Sequence, residues 1–427
     1  MFDALFTTTT EYKKLSHALS GKGACALFGL PASGRAQVYA ALCRQLDKPL
    51  CIVTPGEAEA TRFAADLNTL GIPAAVFPAR DYVLRPIEGT AREYEYRRLA
   101  VLGELVGGRL RAVAVPAEAL TQFTTPKEDF CANTRTLHAG DTLLRDDLLA
   151  ALFGAGYTRR AQVDGPGQFS VRGDIVDIFA PDQKMPVRME FWGDEIDTLH
   201  TFDLTTQRRE DAIDKFYLSP AREVLFGKPA DAAEQLRAFL AKQRGKKKTA
   251  MADCMAADLD LLDGGAVPVN MDKYLAVRYP HPATVLDYFD DPILVAEEPA
   301  SIREADRATA YRRGEELKSL ILDGVLCAGL DNLYADPSCL WSKTGHYRTI
   351  CAENFARSMP DQPLKDIINA PAHTLPAWNG EVAGLLEDLK PLCDAGYTVT
   401  LLAGTDRAAA GLARDLRDKG ILVTTDA

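Results

Sequence analysis

Residues Gly167–Arg209 read GQFSVRGDIVDIFAPDQKMPVRMEFWGDEIDTLHTFDLTTQRR, and their pattern has period two. Phe169 and Val171 fall on one side, Gln168, Ser170 and Arg172 on the other. After Gly173 the β-branched run Ile175–Phe179 extends almost to Pro181. Val187, Met189 and Phe191 then alternate with Arg188, Glu190 and Trp192, and Gly193–Asp194 turns the chain into Ile196–Phe202. Alternation, β-branched enrichment and closely spaced turn residues predict an antiparallel meander with one buried face. The opposite face would carry Arg172, Asp177, Arg188, Glu190 and Trp192. Arginines beside an exposed aromatic are the composition of a protein-binding patch.

Upstream the pattern is different. A helix follows Thr10, then come strand Ala24–Phe28, a Gly-Pro-Ser-Gly loop, a helix from Gln37 and strand Leu50–Val53. Helix Glu57–Leu70, strand Ala74–Phe77, a helix over about 91–106 and strand Ala112–Val115 complete the series. Strands alternating with helices predict a parallel sheet covered on both faces. The loop has the spacing of a phosphate-binding GxxxxGK[ST] motif: Gly29-Leu30-Pro31-Ala32-Ser33-Gly34-Arg35-Ala36. Both glycines are present, so backbone N–H groups can still face an anion at the helix start. The lysine that reaches the outer phosphates is replaced by Arg35, and the hydroxyl that ligates Mg²⁺ by Ala36. The loop therefore reads as a P-loop retained for packing after catalysis was lost, with no cofactor expected.

Farther along, Ile293–Val295 is an apolar strand followed by Glu297–Glu298, where a metal-orienting acidic pair would sit. Without the lysine and hydroxyl these carboxylates have no phosphate to serve. A long helix over about 302–322 follows. The lysine-rich run Arg244–Lys248 reads as a solvated loop. Tyr82, Tyr94 and Tyr96, at near-helical spacing among arginines, read as core and flank rather than as a base-stacking surface.

GQFSVRGDIVDIF followed by PVRMEFWGDEID resembles the small domain shared by the excision-repair protein UvrB and the bacterial transcription-repair coupling factors (Mfd). The resemblance implies a UvrA-binding module in transcription-coupled excision repair. It carries over onto Arg159, Arg172 and Phe179 as partner contacts, and Arg188 and Trp192 extend the set on their own chemistry. Where UvrB has a further arginine, this chain has Ser170, which puts contacts at that point in doubt. UvrB keeps an intact nucleotide loop, whereas the coupling factors' amino-terminal module has a degenerate one, so Arg35 and Ala36 select the coupling factors. The short Phe77–Leu99 segment, with no room for UvrB's aromatic hairpin, selects the same way. The alternative is a UvrB-like DNA-dependent ATPase or helicase. The coupling factors are ATP-dependent translocases, and their RNA polymerase and DNA partners engage through parts that lie beyond this chain.

The expected architecture is thus α/β: a RecA-like or UvrB-like P-loop domain in two segments, 1–124 and 213–342, an inserted α+β meander domain at 125–212, and a small α/β domain at 343–427. That last domain is expected to hold a helix over 381–392 and 405–419, with strands at 397–403 and 421–425. The chain has 427 residues and 47% hydrophobic content, enough for several cores. No apolar run approaches the ~18 residues of a membrane span, and the first residues lack a signal-peptide pattern. Nine scattered cysteines without a CxxC pair fit reduced thiols in the cytoplasm. A net charge of −11 argues against holding nucleic acid by bulk electrostatics.

Overall fold

The computed structural model describes residues 7–87, 92–336, 338–355, 363–372, 382–397, 399–401, 403 and 405–425. The first four strands are β1 (Gly23–Phe28), β2 (Leu50–Thr54), β3 (Ala74–Val76) and β4 (Ala112–Pro116). The chain then builds a second sheet from β6 (Thr158–Arg159), β7 (Gln168–Arg172), β8 (Ile175–Phe179), β9 (Val187–Trp192), β10 (Glu195–Phe202) and β11 (Arg209–Ala212). Beneath it, β5 (Arg135–His138) pairs antiparallel with β12 (Lys215–Leu218). Strands β13 (Ile293–Glu297), β14 (Arg348–Glu353) and β15 (Leu364–Asn369) return to the first sheet.

That sheet runs β15-β1-β14-β13-β2-β4-β3, and every pairing in it is parallel. Its strands are apolar throughout because both faces are covered. Cys25, Leu27, Ile52, Val295 and Ile350 pack with Leu15, Tyr39 and Phe63 on one side. Cys51, Val53, Val113, Val115 and Leu294 pack with Leu99, Leu102 and Ile302 on the other. The expected parallel α/β core is present, but it continues past 343. Strands β14 and β15 pair with β1, so the first compact unit runs Met1–Pro371 and the second Ala372–Ala427.

The meander is antiparallel from β7 to β11, with the two-residue β6 added parallel at its edge. Phe169, Val176, Ile178, Val187, Met189, Phe191, Ile196 and Leu199 form its core with Leu148 and Leu152 of the helix Arg145–Gly154. The boundaries 125 and 212 both move. Phe130 belongs to the core of the parallel sheet, and the β5–β12 pair closes the inserted domain at its neck, so the domain spans roughly 134–222.

Residues 213–342 do not simply return to the first domain either. Helices Pro229–Ala241 and Gly245–Asp263 build a third core around Leu236, Met251, Met255 and Tyr274, joined by Tyr82 and Leu84. Lys246–Lys248 are the first turn of the second of these helices, not a loop. Where the three cores meet, Arg80 pairs with Asp272 (2.7 Å) and Glu223 (3.2 Å), and Arg98 with Glu223 (2.6 Å). All are buried. Such a network costs desolvation and repays it only when every member is satisfied, which makes the junction geometrically specific.

In the second unit the helices Val382–Asp394 and Asp406–Asp418 pack through Leu385, Leu389 and Leu416, with Val399, Leu401, Ile421 and Val423 alongside. Glu381, at the start of the expected helix, lies outside the described residues, as do Thr398 and Leu402. Among the described residues of 397–403 and 421–425 there is no strand: the alternation is present, but no ladder partner pairs with it. The nine cysteines are also not all core thiols. Cys25, Cys43, Cys51, Cys327 and Cys351 are buried, whereas Cys131 and Cys393 are exposed.

Candidate functional site

Two places in the sequence carried a chemical expectation, and the structure treats them in opposite ways. The first is the nucleotide loop. The helix expected from Gln37 begins at Ala32, so only Gly29, Leu30 and Pro31 lie between β1 and the helix Ala32–Leu46. Pro31, with its fixed φ at the N-cap position, pre-sets the early start. Ser33, Gly34, Arg35 and Ala36 are therefore helical. Gly29 has a φ of +90°, and a Cβ there would lie 2.8 Å from the carbonyl oxygen of Ala370, so the chain leaving β15 packs directly against the loop.

Arg35 folds inward. Its guanidinium is 3% exposed and pairs with Glu297 at 2.7 Å and Glu298 at 3.2 Å. It also donates to the carbonyl of Leu30 (3.0 Å) and to Oδ1 of Asn354 (3.0 Å). One side chain thus ties together the ends of β1, β13 and β14. Glu297 accepts a further hydrogen bond from the Tyr39 hydroxyl at 2.5 Å. Burial pushes the Glu297 carboxyl up to about 7, against the opposing pull of Arg35. Glu298 sits at φ 54°, ψ 65°, a left-handed conformation held by its N–H to Ala352 and by Oε1 accepting from Asn354 N at 3.1 Å. Ala36 is fully buried in the apolar core and offers no ligand atom. The motif's acidic half and its loop half have closed on each other. No cluster of metal-ligating side chains occurs among the described residues.

The second place is the outer face of the meander. Asp177 is fully buried there, although strand alternation puts it on the face away from the helix. Its Oδ1 accepts from Arg188 Nε at 2.7 Å, and its Oδ2 from Arg188 Nη2 at 3.0 Å and Arg172 Nη2 at 2.6 Å. Arg188 is only 11% exposed, lies over the Phe202 ring at 4.7 Å and donates to the Gln207 carbonyl. It is a packed structural arginine and not a free contact. Phe179 is also withdrawn: with Val163 and Phe202 it forms a small cluster under the loop that carries Leu204. Arg172 remains 49% exposed and Trp192 82% exposed.

Arg159 is exposed on edge strand β6, but its register pairs it with Phe169, on the helix-covered side. Its neighbour Arg160, also exposed, alternates onto the side of Arg172. Of the five residues expected to meet a partner, Arg172 and Trp192 thus share an exposed face, Arg159 stands at the opposite side of the edge, and Arg188 and Phe179 are packed. Arg160 was missed by the motif reading, and the period-two rule itself could have found it.

Between the two places lies Phe77–Leu99. Tyr82 is buried and its hydroxyl donates to the Phe123 carbonyl at 2.7 Å; Tyr96 is partly buried and Tyr94 exposed. That is the core-and-flank distribution. The described part of the segment after Val76 contains no strand before the helix Glu93–Val106, while Glu88–Ala91 lie outside the described residues.

These features define an architecture before any relative: a parallel-sheet α/β core with a degenerate P-loop and an inserted antiparallel-sheet domain. Residues 136–224 match the UvrB interaction domain family, which coincides with the inserted domain closed by β5 and β12. Over most of its length the chain is similar to transcription-repair-coupling factors. It is 24% identical over 414 residues to that of Bacillus subtilis (strain 168), covering 92% of this chain and 34% of that protein. It is 35% identical over 208 residues to that of Myxococcus xanthus (46% of this chain, 17% of that protein). The factor of Mycobacterium bovis is 34% identical over 257 residues (58% and 20%). The chain spans about a third or less of the length of these curated relatives.

Proposed function

We propose that this chain is a non-catalytic recruitment module of a transcription-repair coupling factor, which docks the excision-repair protein UvrA through the outer face of its inserted domain. The observation that carries the reading is the fate of Arg35. Its guanidinium is buried against Glu297 and Glu298 rather than left free to meet a nucleotide's outer phosphates, and the hydroxyl of the phosphate motif is absent at Ala36, which supports the non-catalytic half. The match of residues 136–224 to the UvrB interaction domain supports the docking half.

The mechanism is complementarity of charge and shape. Arg172 offers a guanidinium fork to an acidic group of the partner, and Trp192 supplies a large apolar anchor that excludes water around it. The parallel-sheet core holds the domain in place and takes no part in chemistry. RNA polymerase and DNA are then contacts of other parts of a longer coupling factor, as is ATP-driven translocation. The chain's own setting is the cytoplasm; among the described residues no helix is long and apolar enough to cross a membrane.

Calorimetric titration of UvrA with the chain and with an Arg172→Ala/Trp192→Ala variant tests this. A large loss of affinity with unchanged folding is expected. Equal affinities would reject the assignment of this face.

A further inference from the structure

Asp177 has more arginine around it than its charge requires. Arg188 grips it with two nitrogens, Nε and Nη2, and neutralises it one to one. All three nitrogens of Arg188 are then in use, since Nη1 donates to the Gln207 carbonyl, and the guanidinium lies over Phe202. Arg172 arrives as a surplus cation. It spends a single nitrogen on Asp177 Oδ2 at 2.6 Å and keeps half of its side-chain surface in water. Arg145, partly exposed at the start of the helix Arg145–Gly154, is engaged by the Gly173 carbonyl and by Asp174 instead.

A guanidinium has five N–H donors in a rigid plane. A hydrogen bond from one nitrogen to a buried carboxylate restricts where the guanidinium can go, while its other N–H groups stay available on the exposed side. Ordering a long side chain on binding is a cost that association normally bears. Here the folded domain has borne it in advance.

We propose that Asp177 is a positioning residue for partner docking: a buried carboxylate, charge-balanced by Arg188, that holds Arg172 with its free edge presented to an acidic group of the partner. The inference rests on the reading of this face as the UvrA-docking surface. It explains why a buried aspartate stands on the outer side of a sheet, and why the packed Arg188 is needed beside it.

The test is a double-mutant cycle on the whole chain, read as affinity for UvrA by calorimetry. Asp177→Asn alone is expected to weaken binding by about two- to twelvefold, the range set by ordering one long side chain. In an Arg172→Ala background the same substitution should cause no further loss. Because Asp177→Asn leaves Arg188 without its counter-charge, Asp177→Asn/Arg188→Gln is made as well. It restores a neutral hydrogen-bonding pair and is expected to fold and still bind as weakly as Asp177→Asn. Full affinity in that variant, or additive losses from Asp177→Asn and Arg172→Ala, would overturn the inference while leaving the docking face intact. A parent chain that does not bind UvrA would instead remove the reading beneath it. A readout independent of the partner is the Arg172 Nε–H resonance: it should be that of an ordered side chain in the parent and be motionally averaged in Asp177→Asn.

Discussion

The nucleotide loop and the outer face of the meander are both places where arginines meet a buried carboxylate, yet they end in opposite states. At the loop, Arg35 is sealed with Glu297 and has no free surface to offer. On the meander, Asp177 is equally buried, but one of its two arginines remains half in water. The difference lies in what surrounds each carboxylate. Glu297 ends a central strand of a parallel sheet, under Tyr39 and beside the ends of β1 and β14, so an arginine reaching it must be buried. Asp177 lies on the open face of an antiparallel sheet, where the next strand's residues are only partly covered. The first arrangement gives a rigid scaffold, and the second gives a scaffold with a cation on display.

The largest effects should come from breaking the sealed side. Arg35→Met would leave Glu297 buried without its guanidinium and is expected to cost ~3–5 kcal/mol of folding stability at neutral or higher pH. Phe179→Ala, which empties the small Val163–Phe202 cluster, should cost a similar ~3–5 kcal/mol. Chemical denaturation of both variants checks this. If Phe179→Ala instead left stability intact and abolished partner binding, the division between packed and displayed residues drawn here would fail.

Next in size is the open side. Arg172→Ala should lower UvrA affinity by about 30-fold, from the ~2 kcal/mol typical of a contact at the centre of an interface. It should leave the unfolding midpoint nearly unchanged, because a half-exposed ion pair contributes little to folding.

Titration sharpens the contrast. Glu297 is held near 7 in the folded chain against an ordinary value of 4.5. A raised carboxyl pKa means that the native state binds the proton more tightly. Its stabilising contribution is complete below about pH 4.5 and is lost as pH rises toward 7, by up to ~3 kcal/mol. Glu95 behaves in reverse. Burial alone would raise it, but Arg80, Arg222, Arg92 and the Glu223 N–H outweigh that and bring it to about 2. Its contribution is present above pH 4.5 and lost as pH falls toward 2. Glu297→Gln should therefore flatten the stability profile between pH 4.5 and 7 and leave the acid limb alone. Unfolding measured across that range decides it; an unaltered slope would contradict the burial of Glu297.

The smallest expected effect is a gain that does not come. Arg35→Lys/Ala36→Thr restores the letters of the phosphate motif, yet ATP turnover should stay at background, because position 36 faces the apolar core and the helix begins at Ala32. The buried threonine hydroxyl should cost ~1–3 kcal/mol of stability instead. Turnover with single-stranded DNA present would count against the account.

What the sequence displayed was local. Period-two alternation from Phe169 to Phe202 gave the meander, and the Gly29–Ala36 spacing gave the loop together with its two missing chemical groups. What it hid was non-local. Nothing near Arg35 announces that its partner lies at Glu297, or that Arg80 reaches Asp272, because those contacts depend on how distant segments stack. Phe179 was read as a partner contact; that Val163 and Phe202 at the end of β10 cover it is a non-local fact no nearby pattern shows. The lysines at 246–248 concealed a helix start, since charge marks exposure and not backbone conformation. The strand at Arg348–Cys351 was legible but was placed in the last domain rather than in the first sheet, and β15 at Leu364–Asn369 went unread in a passage marked by prolines, because local pattern cannot say which neighbour a strand will pair with.

The most direct test of a docking module built on a closed nucleotide loop is the affinity of UvrA for the parent chain and for Arg172→Ala, measured side by side by calorimetry. The account predicts clear binding by the parent and about 30-fold weaker binding by the variant. Equal affinities, or no binding by either, would contradict it.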